Sequence, residues 1–368
     1  MTIKNLFKKV YLNKYFCQEL FSKLIIVLLF LLLILNHILS KFHRKKVGII
    51  GVSHCQNIGN SLLKYSISII LKRYGFEPYL IGIHLKPANI SFLNKYTNVR
   101  ITENFSDIRE NDYKLLIVNS DQTWRKNSKN FYNIAFLKFA EKWNIPKFIY
   151  GASIGINKWF SKSDEKIAKY LLKDFTGISV RDLNLINLIK EHLGINAIFV
   201  LDPTLLIEKK YFLNIIKNYK NHINIKNNYI FTYKITNLKN KINIFIHEAS
   251  KKLNYSIYDV SLGDKENIEK FLHGIKICKA VVTDSFHGTV FSIIFHKPFI
   301  TFQMKNDGRL ETLKKIFDLK NRIIESDEYP DVNLLKQPLY INKAKLNKLK
   351  INSLRYLKKN LLNPFINL

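Results

Sequence analysis

Apolar residues along the chain fall into three regimes. The first is a single run, Leu24 to Ser40, that carries no Asp, Glu, Lys or Arg and opens with twelve uninterrupted Leu, Ile, Val and Phe positions. It is shorter than the roughly 20 residues a helix needs to cross the hydrocarbon core, so the pattern predicts an anchor helix that spans with snorkelling flanks or lies shallowly in the membrane. Lys14 and Lys23 precede it, and Lys41, Arg44, Lys45 and Lys46 follow. Positive charge on both sides gives little orientation preference, and no small-x-small cleavage site follows the run. Residues 1–45 therefore read as a basic segment with a membrane anchor at 24–40, the body of the protein lying in the cytoplasm. A buried core helix is the competing reading of the same run.

From Lys46 onward, short apolar runs alternate with amphipathic stretches, which is the signature of βαβ units and a mostly parallel sheet. Strands are predicted at Val47–Val52, Tyr79–Ile83, Leu115–Val118, Phe148–Ala152, Ile178–Val180 and Ala197–Leu201. Helices are predicted at Ser61–Arg73, with Gly75 as its stop, at Asp164–Phe175 and at Leu183–Leu193. A polar, Asn/Lys-rich stretch at 217–228 reads as a linker between a first lobe, 46–216, and a second, 229–343. The second series predicts strands at Tyr229–Tyr233, Ser256–Ser261, Ala280–Thr283 and Phe299–Phe302. Its helices are expected at Lys239–Leu253 and Ile268–Ile277, from about Gly288 onward, and at Leu310–Phe317. The third regime, 344–368, sets Leu346, Leu349, Leu354, Leu357 and Leu361 among lysines, an amphipathic helix suited to packing back across the lobes. The expected class is α/β, in two lobes.

Charge changes this picture only slightly. With 59 Lys and Arg against 28 Asp and Glu, the formal charge is +31, which suggests an anionic partner. The lysines are scattered, however, and no zinc finger, aromatic RNA-binding signature or basic-region heptad is present, so nucleic acid is not expected. Cys17, Cys55 and Cys278 are far apart and lack CxxC spacing, which points to a reducing compartment. His54–Cys55 has no second pair at ligand spacing, and neither a metal nor a cofactor is expected.

Ligands of open α/β sheets gather beyond the carboxyl ends of strands, and five loops there carry candidate chemistry. Asn57, Gly59 and Asn60 combine a close backbone approach with the free N–H groups of a helix start. Ser120, Asp121, Gln122 and Trp124 offer polar groups beside an aromatic ring, which suits a sugar as well as a capped helix with a packed Trp. Gly151 to Gly155 is rich in small residues, and Arg181 follows a short strand directly. The fifth, TDSFHGT from Thr283 to Thr289, places His287 at a helix entry with Asp284, Ser285 and Gly288 around it. Helix N–H groups there tend to keep the ring neutral and able to pass protons.

Taken together, NIGNSL (57–62), NSDQTW (119–124), GASIG (151–155), SVRD (179–182), LDPTLL (201–206) and VVTDSFHGTVFSIIFHKPFI (281–300) resemble the polysaccharide pyruvyl transferase family in order and spacing, from about Val47 to Arg322. The resemblance implies two Rossmann-like domains facing a cleft, as in glycosyltransferase-B enzymes, with a C-terminal helix crossing over. It also implies phosphoenolpyruvate as donor and, as acceptor, a cell-surface glycan precursor, often lipid-linked, that receives a pyruvate ketal. On that basis His287 would be the acid/base, and Arg181 would hold the donor's carboxylate or phosphate. Lys305 and Arg309, just after the strand Phe299–Phe302, are further clamps by position, and Ser285 and Gly288 would border the phosphate. Asn57, Gly59, Asn60, Ser120, Asp121, Gln122, Trp124 and Asp284 would line the acceptor side. The chain departs from some members at Ser285, where they carry an arginine. Two other readings fit the same architecture: a glycosyltransferase using a nucleotide sugar, and a non-catalytic, membrane-bound glycan-binding or scaffold protein.

Overall fold

The structure, a computed structural model, describes residues 25, 28–31, 45–52, 58–82, 87–102, 104–126, 129–155, 159–219, 228–236, 239–260, 267–325 and 328–365. The chain divides into two compact units, Met1–Lys45 and Lys46–Leu368. In the first unit, Ile25 and Leu28–Leu31 are helical and exposed, and most of the expected anchor lies outside the described residues. Among the described residues, no helix is long and apolar enough to cross a membrane.

The second unit contains two sheets. The first comprises β1 (Lys45–Ile50), β2 (Phe76–Ile81), β3 (Arg100–Thr102), β4 (Leu115–Val118), β5 (Lys147–Ala152), β6 (Gly177–Val180) and β7 (Ile198–Phe199), in the order β3-β2-β1-β4-β5-β6-β7. The second comprises β8 (Tyr229–Tyr233), β9 (Ser256–Val260), β10 (Ala280–Thr283), β11 (Phe299–Gln303) and β12 (Ile323–Glu325), in the order β12-β11-β10-β8-β9. The pairs β1–β4, β4–β5, β8–β10 and β10–β11 are all parallel. Strands covered on both faces need apolar side chains throughout, and the fully buried LLIV of β4 and AVVT of β10 supply them.

Helices fill the connections: α1 (Ile58–Arg73), α2 (Pro87–Thr97), α3 (Phe131–Phe136), α4 (Lys162–Leu172), α5 (Leu183–Leu193), α6 (Pro203–Leu206) and α7 (Lys209–Lys217) in the first half. In the second half these are α8 (Lys239–Leu253), α9 (Asn267–Ile277), α10 (Phe286–Phe295), α11 (Gly308–Phe317) and α12 (Lys343–Leu362). α1 is buried along nearly its whole length. Its inward-facing serines satisfy themselves by donating to carbonyls one turn back, Ser66 to Leu62 at 2.8 Å and Ser68 to Lys64 at 2.7 Å. One continuous apolar core joins the two sheets, with Ile117 and Tyr150 on one side and Phe231, Val281 and Phe291 on the other. α12 returns to the first sheet, where Tyr356 donates to the Ile149 carbonyl at 2.8 Å and Ser353 accepts from the Leu201 N–H at 2.9 Å.

The strand orders locate the functional region. The first sheet changes winding direction between β1 and β4 and the second between β8 and β10, and at such switch points the loops diverge to leave a crevice. The loops after β4 and β10 are the NSDQTW and TDSFHGT segments.

Candidate active site

The turn after β10 is built by its own hydroxyls. Thr283 accepts the Ser285 N–H at 3.0 Å and donates to the Tyr233 carbonyl at 2.5 Å, which fixes the strand end. Ser285 is the N-cap of α10 and accepts the Gly288 N–H at 3.3 Å, satisfying one of the helix's orphan donors. Gly288 is required by close packing, because a Cβ there would come within 2.4 Å of the Thr283 hydroxyl. Asp284 turns away from the helix and accepts from the Ile235 N–H at 2.7 Å, the Thr236 N–H at 2.9 Å and the Thr236 hydroxyl at 2.6 Å. It ties the loop after β8 to the loop after β10.

His287, the second residue of α10, is 3% exposed. Its Nε2 has no hydrogen-bond partner and lies 3.8 Å from Asp202 Oδ2. The ring fits against the start of α1, where a Cβ on Gly59 would fall 1.8 Å from Nδ1, so any other residue at that position would displace the imidazole. Burial, opposed by Asp202 and reinforced by Arg181, lowers the His287 pKa to about 4. The imidazole is therefore neutral at pH 7, as its place at a helix start led us to expect.

Facing it is a charge cluster contributed by the first sheet. Arg181, just after β6, donates through Nη1 to Asp202 Oδ2 at 2.6 Å and through Nη2 to Asp121 Oδ1 at 3.1 Å. Its guanidinium carbon is 4.7 Å from the centroid of the Phe286 ring, and its Nε has no partner. Asp121, held at φ 140°, accepts in addition from Asn60 Nδ2 at 2.6 Å and the Gln122 N–H at 2.8 Å. Burial pushes the Asp121 carboxyl up, but Arg181 and His287 outweigh it and leave the carboxyl below its ordinary range. Asp202 caps α6, accepting from the Thr204 N–H at 3.0 Å and hydroxyl at 2.6 Å.

A second arginine approaches Phe286. Arg309 pairs with Asp307, the N-cap of α11, through Nε at 3.0 Å and Nη2 at 2.6 Å, and its guanidinium carbon lies 5.7 Å from the Phe286 ring. Nearby, Asp182 is fully buried, accepts from the Ser153 hydroxyl at 2.6 Å, and has no partner for Oδ1. Burial raises its pKa to about 6, against the pull of Arg181.

Of the residues singled out in the sequence, the structure brings together His287, Arg181, Asp121, Asn60 and Gly59, and sets Arg309 at the edge of the group. Ser285, Gly288 and Asp284 build the turn itself. Ser120 is buried, with its hydroxyl unpartnered, and Gln122 is half-buried against Gly155. Trp124 is fully buried in the first sheet's core against Phe136 and Phe160, and Lys305 is exposed in the turn after β11. Asn57 lies outside the described residues. Sequence reasoning gave no role to Asp202, Phe286 or Asp307, and it weighed Asp182 only as a surface ion-pair partner of Arg181, whereas Asp182 is buried and Arg181 pairs with Asp202 and Asp121. Asp202 stands in LDPTLL, where an acid before Pro reads as a helix cap, and it is one; its second oxygen meets Arg181 only through tertiary folding.

The description "polysaccharide pyruvyl transferase" belongs to the family model that matches residues 57–306, which contain every member of this cluster except the pair Asp307 and Arg309. No curated protein matches the chain significantly. Among solved structures, the chain is similar to UDP-GlcNAc 2-epimerase from Neisseria meningitidis bound to UDP-GlcNAc, at 13% identity and a TM-score of 0.58, covering 87% of this chain and 100% of that one. UDP-GlcNAc 2-epimerase from Methanocaldococcus jannaschii matches at 14% identity and a TM-score of 0.52, covering 83% and 91%. A putative UDP-N-acetylglucosamine 2-epimerase from Listeria monocytogenes matches at 12% identity and a TM-score of 0.50, covering 86% and 90%. At these identities the likeness concerns the fold, two parallel α/β sheets in the glycosyltransferase-B-like manner. The family model spans more than half of the chain, and the chain belongs to the polysaccharide pyruvyl transferase family.

Proposed function

We propose that the chain transfers the pyruvyl group of phosphoenolpyruvate to a sugar of a cell-surface polysaccharide precursor, forming a ketal, at the cluster around His287. The observation that carries this reading is a buried imidazole with an unpartnered Nε2, placed beside two arginines where the switch points of both sheets meet.

The reaction adds one proton to the donor's methylene carbon, making it a methyl group, and leaves positive charge at the adjacent carbon. One sugar hydroxyl adds there, the bond to phosphate breaks, and a second hydroxyl closes the ketal. Of the two hydroxyl protons, one balances the proton placed on carbon and the other leaves on phosphate. His287 is the proton carrier. It rests neutral because burial holds its pKa near 4. A donor bearing phosphate and carboxylate brings negative charge into the pocket and favours the imidazolium, so substrate binding itself arms the acid. Arg181, with an unpartnered Nε, and Arg309 hold the donor's anionic groups, aided by N–H groups at the start of α10. Ser285 caps the helix at the position where some relatives have an arginine, so these two arginines provide the clamp here. Asp121 and Asp202 keep Arg181 in place and offset its charge before the donor arrives.

Residues 24–40 would hold the body at the cytoplasmic face of a membrane, where a lipid-linked acceptor is presented. Thermal unfolding of the purified protein with phosphoenolpyruvate, and separately with nucleotide sugars, tests the donor. Phosphoenolpyruvate should raise the midpoint; stabilisation by a nucleotide sugar alone would replace this reading with that of a glycosyltransferase.

A further inference from the structure

A cavity of about 440 Å³ lies beyond the carboxyl ends of β4 and β5, apart from the His287 cluster, and Trp124, Trp159 and Phe160 line it together with Arg125, Lys126 and Asp164. Its volume falls within the range of small-molecule sites, and its lining has their usual makeup, apolar walls with a few fixed polar groups.

The aromatic wall is rigid. Trp159 and Phe160 lie 4.8 Å apart at 36°, and Trp124 is 5.9 Å from Phe160. Behind Trp159, its Nε1 donates to Glu165 Oε1 at 2.8 Å, and the ring stacks on His192 at 4.9 Å. The same Glu165 oxygen is 2.9 Å from His192 Nδ1, so one carboxylate orients both rings. Positions fixed in this way need little ordering when a ligand arrives.

The polar end is equally well fixed. Asp164 accepts from Lys126 Nζ at 2.7 and 3.0 Å, from the Tyr132 hydroxyl at 2.5 Å and from the Ser161 hydroxyl at 2.7 Å. Burial raises the Asp164 carboxyl, but Lys126 and the two hydroxyls outweigh it and bring the pKa down to about 2. The Nε1 of fully buried Trp124 has no partner. Lys126 and Asp164 cancel each other's charge and Arg125 donates to the neutral Gln122 side chain at 3.0 Å, so the lining keeps a cation among several neutral donors and acceptors. Flat aromatic faces with donors and acceptors at one edge match a pyranose, whose C–H face is apolar and whose rim carries hydroxyls.

Asp121 and Trp124 are three residues apart, so their Cα atoms are separated by no more than about 11 Å. A chain of sugars entering the His287 cluster would therefore have its neighbouring units near this cavity. We propose that the cavity holds a monosaccharide unit of the acceptor glycan, stacked on Trp159 and Phe160 with its hydroxyls at Arg125 and Lys126. The assignment rests on the family's polysaccharide acceptor and is independent of the identity of the donor.

The test is a titration of the full chain with cellobiose, lactose and the β-1,4-linked N-acetylglucosamine disaccharide, followed by tryptophan emission and by calorimetry. Two of the chain's three tryptophans line the cavity, which makes emission a local readout. At least one disaccharide should bind saturably in the millimolar range. Trp159→Ala should weaken that binding at least tenfold, while Trp159→Phe, which keeps an aromatic face, should largely retain it. Circular dichroism of both variants checks that they fold. The proposal falls if none of the three disaccharides saturates by about 50 mM, or if Trp159→Ala binds as the wild type does. Sugar binding that depends on Trp159 without stabilisation by phosphoenolpyruvate would keep the cavity and discard the donor. Stabilisation by phosphoenolpyruvate without any sugar binding would do the reverse.

Discussion

The two strand-to-helix junctions at the switch points solve opposite problems. After β4, Asp121 takes φ 140°, a conformation costing of order 1–3 kcal/mol for a residue other than glycine, and its carboxylate accepts from Asn60, Gln122 and Arg181. After β10 the backbone is regular, Ser285 caps α10 at φ −94° and ψ 132°, and the turn's hydroxyls bond to backbone groups, while His287 Nε2 is left without a partner. One junction carries strain and saturated charge; the other is relaxed and leaves a reactive atom open. The first sheet thus supplies the fixed field and the second the titrating group. The two meet because Gly59 lets the imidazole lie against α1.

The sharpest way to break this comparison is to remove the titrating group. His287→Gln should lower turnover by about a hundredfold or more with the fold intact by circular dichroism; a loss of only a few-fold would end its role as proton carrier. Gly59→Ala should reach a similar loss by another route, since its Cβ would overlap the ring. Both changes act on one group, so their losses should not multiply in the double variant, and kinetics of the four proteins in that cycle would show this.

The field should respond in stability before activity. In Arg181→Lys, one ammonium cannot serve both Asp121 and Asp202 in the fork geometry that the guanidinium provides. Leaving a buried carboxylate uncompensated costs about 3–5 kcal/mol, to be read by denaturant unfolding. Ser285→Ala, by contrast, removes a cap worth about 1 kcal/mol, so the unfolding midpoint should fall by a few degrees at most with activity largely kept.

pH separates the two groups by the sign of their response. His287 has a folded pKa of about 4, below its ordinary 6.5, so between these values the unfolded chain binds more protons and acidification destabilises the native state. Relative to wild type, His287→Gln should gain stability as pH falls from 6.5 to 4. Asp182 runs the other way: its folded pKa of about 6 lies above the ordinary 3.8, and the native state loses stability as pH rises through that interval. Asp182→Asn should therefore gain on wild type as pH rises from about 4 to 6. Differences of the same sign in both variants would contradict the assignment.

Much of this fold could be read from the sequence because buried parallel strands are apolar runs with clear ends. Leu115–Val118, Tyr229–Tyr233 and Ala280–Thr283 lie where the pattern predicted them. The edge strands Arg100–Thr102 and Ile323–Glu325 were not predicted; they are three residues each, and Arg100–Thr102 lacks an apolar run. α2, α3, α6 and α7 were also missed, being short or lacking a distinctive start. In the site, Arg181 stood out because it directly follows a strand, and His287 because it stands at a helix entry among hydroxyls and Asp284. Asp202 did not, because its local role as a helix cap accounts for it fully, and its pairing with Arg181 spans 21 residues that no periodicity connects. Trp124 read equally well as a sugar platform or a packed ring, and only the three-dimensional arrangement gives it a place in the core that also borders a cavity.

The most direct test of the central claim is the number of protons taken up when phosphoenolpyruvate binds at pH 7, measured by calorimetry in buffers of different ionisation enthalpy. If donor charge converts neutral His287 into the acid, the wild type should take up more protons than His287→Gln, by as much as one per site. Equal uptake by the two proteins, or no binding of phosphoenolpyruvate to the wild type, would contradict it.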